Sequence, residues 1–188
     1  MKTKRSIAFP ILFLAAGLAS AMAQSGDDPL IVTNGDFSDL TGLQEMSDGW
    51  YSGVPAGWSA APSDGGSTNY AIRKQAGNFV ANVSALSRTQ PSFQAFTQEV
   101  GILPAPAEVT LTFAVVDSWH GENFYMGAAI YDARAVAYPL AAGDFTNAGT
   151  HTLVASNVPA GTQVKLGFWT VTGFPSLDNV AITVRPNE

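Results

Sequence analysis

The chain has 188 residues, no cysteine and a formal net charge of −6 at pH 7. Without cysteine it has no disulfide, no thiolate zinc site and no cysteine nucleophile. The acidic balance argues against nucleic acid or an anionic membrane surface as partners and favours neutral ligands or cations.

The first 23 residues have the pattern of a secretory signal peptide. Lys2, Lys4 and Arg5 precede an apolar run, and the Ala-Met-Ala sequence at 21–23 fits the small-x-small cleavage pattern. We therefore expect cleavage near Ala23 and a secreted or periplasmic mature protein, with an uncleaved membrane anchor as the alternative. Cleavage removes three of the nine basic residues and none of the fifteen acidic ones, so the net charge becomes −9.

The rest of the chain has the size of one domain. Residues 24–29 are polar and acidic and are expected to form a flexible N-terminal tail. Residues 30–188 are enough for a single domain with its own core. They contain no apolar run long enough for a membrane-spanning helix, so no membrane insertion is expected.

Alternating apolar and polar residues predict strands along most of this domain. In 162–171, Val164, Leu166 and Phe168 share one face, and Trp169 lies on the other. The predicted strands are 77–86, 92–100, 108–116, 124–134, 150–158, 162–171 and 177–184. The segments between them, among them 138–149, are predicted loops because they are rich in Gly and Pro. This pattern predicts an all-β fold, an antiparallel β-sandwich.

The least regular segment is 47–70, which contains Trp50, Tyr51 and Trp58. Structureless segments of this length in a compact domain are either functional or disordered. The aromatic residues favour an ordered loop that is packed by its own side chains. Whether Trp50 and Tyr51 bind a ligand stays open at this stage.

Several phrases occur in a characteristic order. They are Asn-Gly-Asp-Phe at 34–37, Pro-Ala-Gly-Trp at 55–58, Gln-Glu-Val at 98–100 and Leu-Asp-Asn-Val at 177–180. Together they resemble carbohydrate-binding modules of the family 4/9 type, over about residues 30–185. The resemblance implies a galactose-binding-like jelly roll whose first and last strands are neighbours, and a structural role for Trp58.

The resemblance also implies a structural Ca²⁺ where the first and last phrases meet. Asn34, Asp36 and Asp178 are the candidate ligands, since Ca²⁺ prefers several hard oxygen ligands. Ser38 stands where the family often has a glutamate. The alternative is a plain turn with side-chain-to-backbone bonds at the first phrase and a strand-entry cap at the last.

Sugar recognition needs a flat aromatic face and planar hydrogen-bonding groups. Trp169 is the candidate platform because it alternates away from the core side of its strand; burial under a loop is the alternative. The loop after strand 108–116 offers a candidate ligand rim, or a cap on the end of the sandwich. Its candidate residues are Trp119, His120, Glu122, Asn123 and Tyr125. Arg73 is a further candidate, able to bond a sugar or to pair with a surface acid.

No nucleophile elbow, His-Glu-x-x-His helix, P-loop or dinucleotide fingerprint is present in the sequence. The favoured function is therefore non-catalytic recognition of a neutral glycan or polysaccharide. One alternative is a structural β-sandwich of a cell surface or matrix. The other is a small Ca²⁺-dependent, cyclase-like enzyme on the same fold. The sequence leaves the oligomeric state open.

Overall fold

The computed structural model describes residues 29–61, 72–86, 95–118, 121, 123–135 and 137–187. Its strands are β1 (Gln44–Ser47), β2 (Trp50–Ser52), β3 (Ser59–Ala60), β4 (Ile72–Gln75), β5 (Asn78–Asn82), β6 (Phe96–Ile102), β7 (Ala107–Ser118), β8 (Tyr125–Asp132), β9 (Pro139–Phe145), β10 (Gly149–Val158), β11 (Gln163–Thr172) and β12 (Pro175–Pro186). One short helix, α1 (Val83–Leu86), follows β5. Over these ranges, no helix is long and apolar enough to cross a membrane.

The strands form two antiparallel sheets. The seven-stranded sheet has the order β1-β2-β4-β5-β12-β7-β10, and the five-stranded sheet has the order β3-β6-β11-β8-β9. The last eight strands divide into β5-β12-β7-β10 and β6-β11-β8-β9, which is the strand order of a jelly roll. The predicted all-β antiparallel sandwich is confirmed.

The core lies between the two sheets and is built from alternate residues of the long strands. On β7, Val109, Leu111 and Phe113 are fully buried, and the residues between them are partly exposed. On β11, Leu166 and Phe168 are fully buried against them. Because successive strand residues point to opposite faces, this alternation also fixes which side chains reach the outer faces.

Several elements differ from the sequence prediction, among them β1 and β4, where no strand was predicted. Residues 138–149 were predicted as a loop, yet β9 pairs with β8 along Pro139–Phe145. The predicted strand 77–86 ends at Asn82, where a one-turn helix begins and the Ser84 hydroxyl donates to the Asn82 side-chain oxygen. The irregular segment 47–70 contributes the short strands β2 and β3, and residues 62–70 lie outside the described ranges.

An aromatic cluster closes the core beside the Asn-Gly-Asp-Phe phrase. Trp58 stacks on Phe96 with ring centroids 4.5 Å apart, and Phe37 packs against Trp58 at 5.5 Å. Trp58 is buried, as the resemblance implied, and its indole N–H donates to the Asn34 carbonyl at 3.2 Å. The cluster therefore anchors the first phrase to the five-stranded sheet.

Candidate functional site

Trp169 lies on the outer face of the five-stranded sheet. Its neighbours Leu166 and Phe168 are fully buried on the inner face, and Trp169 itself is half-buried. On the adjacent strand it pairs with Gly127. The strand parity that was predicted from the sequence is therefore correct.

Gly127 determines how the Trp169 ring is placed. A Cβ atom at this position would overlap Cε2 and Cζ2 of the indole and lie 2.6 Å from Nε1. Only glycine allows a side chain to lie this close against the strand backbone. The indole therefore lies across β8 over Gly127.

Tyr125 and Asp144 flank this indole. Asp144 pairs with Gly127 across β8 and β9 and is exposed. The hydrogen bond from the Tyr125 hydroxyl to the Asp144 carboxylate raises the pKa of Tyr125. Asn123, two residues before Tyr125, is also exposed. We call Trp169, Gly127, Tyr125 and Asp144 the Trp169 face.

The middle of the same outer face is closed. Thr97, Ala129 and Tyr131 point outward by strand parity but are buried. Burial raises the pKa of Tyr131, as expected for a phenol held away from water. Exposed residues lie on either side of this closed part: Val171 and Asp144 at the Trp169 end, and Glu99 at the other end.

The structure does not bring all predicted ligand residues together. Tyr125 and Asn123 lie near Trp169, whereas Trp119, His120 and Glu122 lie outside the described residues. Arg73 is on β4 in the other sheet, where it forms an ion pair with Asp117 at 2.6 Å. Of the two predicted roles of Arg73, the structure shows the pairing with an acidic side chain.

The first and last phrases meet in space, as the resemblance implied. The Val180 amide donates to the Gly35 carbonyl at 2.9 Å, and a Cβ on Gly35 would overlap the Val180 carbonyl. Asn34 and Asn179 both have left-handed φ angles of 50°, which asparagine tolerates better than most residues. Both phrases therefore bend sharply where they touch.

This contact places the carboxyl groups of Asp36 and Asp178 near each other. Asp178 is 4% exposed, and burial raises its pKa to about 6, with the negative charge of Asp36 acting in the same direction. The Asn179 amide donates to Asp178 at 2.7 Å and opposes this rise. Within the described part of the chain, no ion pair to Lys or Arg involves either carboxylate.

The donor set fits a hard cation only in part. Two carboxylates and the carbonyls of two tight turns are oxygen ligands of the kind Ca²⁺ takes. The Asn34 side chain is committed elsewhere: its amide donates to the Asp39 carbonyl at 3.0 Å and its oxygen accepts the Asp39 N–H at 2.9 Å. No group of three or more acidic or histidine side chains that could hold a metal occurs among the described residues.

Two residues of the Trp169 face were missed from the sequence. Asp144 lies in the segment predicted as a loop. Gly127 interrupts the apolar strand 124–134, and a glycine inside a strand is a signal of close approach by another group. That signal was present, but the sequence alone does not identify the approaching group as Trp169.

The chain was compared with protein-family models, curated proteins and solved structures, and only solved structures gave matches. No protein-family model matches the chain, and no curated protein matches it. A solved structure described as "CBM4 structure and function" is 13% identical with a TM-score of 0.48, over 82% of this chain and 100% of that one. The K1 cleaved adhesin domain of Lys-gingipain from Porphyromonas gingivalis W83 is 13% identical with a TM-score of 0.40, over 72% and 94%.

A third structure is the enzymatically active domain of tailspike protein 4 from bacteriophage CBA120. It is 14% identical with a TM-score of 0.40, over 83% of this chain but 21% of that one. The description of the first structure names a module of family 4, and the sequence motifs resemble carbohydrate-binding modules of the family 4/9 type. At these identities and TM-scores, the similarities assign neither a family nor a ligand to this chain.

Proposed function

We propose that this chain is a secreted, non-catalytic domain that binds a neutral glycan on the Trp169 face. The observation that carries the proposal is the indole of Trp169, which lies across Gly127 on the outer face of the sheet. A pyranose has a C–H face that packs on an aromatic ring and hydroxyls that bond to carboxylates and phenols. The Tyr125–Asp144 pair supplies such groups beside the ring.

Export is part of this proposal. The basic start, the apolar run and the Ala-Met-Ala sequence at 21–23 support cleavage after Ala23. The mature chain then begins at Gln24, a few residues before the first described strand contact at Leu30. An exported domain meets its glycan outside the cytoplasm.

A structural Ca²⁺ bound by Asp36 and Asp178 is a second part. The two carboxylates, with carbonyls of the turns that carry them, would hold the ion. When bound, it would supply charge neutralisation between two adjacent acids, not chemistry on a substrate. The two phrases would then be tied more firmly, in a chain that has no disulfide.

Affinity gel electrophoresis of residues 24–188 tests the glycan proposal, with neutral soluble polysaccharides such as xylan, glucomannan and β-glucan in the gel. We expect Trp169→Ala to lower the affinity at least tenfold, because it removes the stacking ring. Asp144→Ala, a change at an exposed side chain, should weaken binding without changing the melting temperature.

Tyr138→Ala is the matched control, because Tyr138 is an aromatic residue that is 82% exposed in the β8–β9 hairpin, away from Trp169. It should bind like the wild type. Full binding by both Trp169→Ala and Asp144→Ala would refute the Trp169 face as the site. A wild-type chain that none of the glycans retards would refute the function itself.

A further inference from the structure

The outer face of the seven-stranded sheet carries a second set of polar groups, on the opposite side of the sandwich from Trp169. Arg73 Nη2 donates to Asp117 Oδ1 at 2.6 Å and to Ser176 Oγ at 3.0 Å. Gln75 Nε2 donates to Asp117 Oδ2 at 2.7 Å. We call these four residues and Trp50 the Arg73 cluster.

An aromatic ring borders these groups. Trp50 pairs with Arg73 across β2 and β4, so both side chains lie on the same face. The guanidinium carbon lies 5.8 Å from the centroid of the Trp50 ring, within the range of a cation–π contact. Trp50 is half-buried. The cluster thus combines an indole with three planar polar groups, from Arg73, Gln75 and Asp117.

The polar side chains lie along the sheet surface. Arg73 is on β4 and Asp117 is on β7, and β5 and β12 separate these strands. Neighbouring strands are about 4.8 Å apart, so the ion pair reaches over two intervening strands. Its path crosses Ser176, whose small side chain leaves room above the sheet. The result is a polar layer beside the Trp50 ring, in which Arg73 and Ser176 are largely buried and Asp117 is partly exposed.

Hydrogen bonding in the cluster is incomplete. Arg73 Nε and Gln75 Oε1 are buried, and neither has a hydrogen-bond partner in the described structure. Buried polar atoms are normally paired, so each of these two atoms requires an explanation. Both atoms lie out of reach of solvent, whereas the other polar atoms of the two side chains hold the Asp117 carboxylate. The Asp117 side chain, 36% exposed, has further lone pairs for a hydroxyl donor.

We infer that the Arg73 cluster is a second ligand-binding site, which takes a neutral sugar residue. Trp50 supplies the stacking ring and the partly exposed Asp117 accepts from hydroxyls, while Arg73 and Gln75 hold the Asp117 carboxylate in place. The ligand is neutral because Asp117 already balances the Arg73 charge and the mature chain carries −9. The cluster shares no residue with the Trp169 face, so either site can fail without the other.

Isothermal titration of residues 24–188 with the neutral hexasaccharides of xylose, glucose and mannose tests this site. The Trp169→Ala variant isolates the cluster, and it should retain measurable binding of at least one of these probes. Adding Gln75→Ala should lower that remaining affinity at least fivefold. Since the Arg73–Asp117 pair stays in place, the melting temperature should not change. Adding Tyr138→Ala instead should leave the remaining affinity unchanged.

Three results would overturn the inference. One is a folded Trp169→Ala variant that binds none of the three sugars while the wild type binds, which leaves only the Trp169 face standing. Another is unchanged remaining affinity in both Gln75→Ala and Trp50→Phe. The third is a wild type that binds none of the sugars. Conversely, if Gln75→Ala weakens binding and Trp169→Ala does not, the second site stands and the Trp169 proposal fails.

Discussion

Gly127 shows how a residue without a side chain can control a binding surface. The Trp169 ring occupies the space in which a Cβ at position 127 would lie. We therefore predict that Gly127→Ala displaces the indole and lowers glycan affinity about tenfold, which corresponds to about 1.4 kcal/mol. Affinity gels measure this change, and Ala160→Ser, an exposed substitution in the turn before β11 and far from Trp169 along that strand, is the control.

The same variant separates binding from folding. The displaced ring is on the outer face, so the melting temperature of Gly127→Ala should fall by only a few degrees. A large loss of stability would mean that Trp169 is in effect a core residue. Unchanged affinity would mean that the position of the ring does not matter for the ligand.

Asp178 makes the metal-free protein sensitive to pH. Its folded-state pKa is raised to about 6 from 3.8, so its contribution to stability is fully present below about pH 3.8. That contribution is lost as the pH rises through about 6. In EDTA, Asp178→Asn should therefore melt at a higher temperature than the wild type at pH 7 and at nearly the same temperature at pH 4. Thermal melts of both proteins across this range are the measurement.

With calcium present at pH 7, the wild type should melt at a higher temperature than Asp178→Asn, the opposite of the order expected in EDTA. If Ca²⁺ binds Asp36 and Asp178, a concentration one hundred times its Kd stabilises the fold by about 2.7 kcal/mol. We predict that Ca²⁺ raises the melting temperature of the wild type at pH 7, and raises it less at pH 5, because a proton on Asp178 competes with the ion. The gain should vanish in Asp178→Asn.

Asp39→Ala is the control for calcium. Asp39 is exposed, and its carboxylate accepts the Thr41 amide at 2.9 Å in the same loop. Its hydrogen bonds lower its own pKa, unlike that of Asp178. Asp39→Ala should keep the calcium response. Identical wild-type melts in Ca²⁺ and EDTA would show that the carboxylate pair holds no ion.

At the level of strands, sequence patterning predicted the elements that carry their own alternation. On β7 and β11 the apolar residues repeat every second position and are buried, so both the strands and the outward direction of Trp169 followed. β9 has weak patterning, with Pro139 at its start and Gly143 within it. It is a strand because it pairs with β8, and such a tertiary contact is not visible in the local sequence.

The residues of the candidate sites also depend on tertiary contacts that the local sequence does not show. The meeting of the first and last phrases depends on strand order, which the resemblance supplied. The Tyr125–Asp144 pair and the Arg73–Asp117 pair join different strands at specific registers. A register shift of one residue would move either partner to the opposite face, and the sequence does not define the register that closely.

The Arg73–Asp117 pair should stabilise the attachment of β4 to the sheet. The Arg73 side chain is 12% exposed and that of Asp117 36%, so the pair is more costly to break than a surface bridge. We predict that Arg73→Ala lowers the free energy of unfolding by about 2 kcal/mol. Arg134→Ala breaks the pair with Asp132, in which Arg134 is 60% exposed, and should cost less than about 0.5 kcal/mol. Urea unfolding of the two variants compares them, and equal losses would contradict this view of the cluster.

For the molecule as a whole, the jelly roll brings distant parts of the chain together. β12, the last strand, lies between β5 and β7, and the loop after Leu30 contacts it through Gly35. Both ends of the domain are thus fixed to the sandwich without a disulfide. The aromatic cluster of Phe37, Trp58 and Phe96 adds apolar contacts to the same junction.

The overall charge predicts which glycans bind. The chain has a net charge of −6, which would become −9 with the proposed cleavage after Ala23, and such a charge repels uronic or sulfated polymers. Neither proposed site has an unbalanced cation to attract them. We predict retention by neutral polysaccharides and none by polygalacturonate or a sulfated galactan. An uncharged ligand makes no ion pair that salt could screen, so raising NaCl from about 50 to about 500 mM should change the affinity for neutral glycans less than twofold. Binding to the acidic polymers that is lost in salt would show instead that an exposed basic patch outside both sites governs recognition.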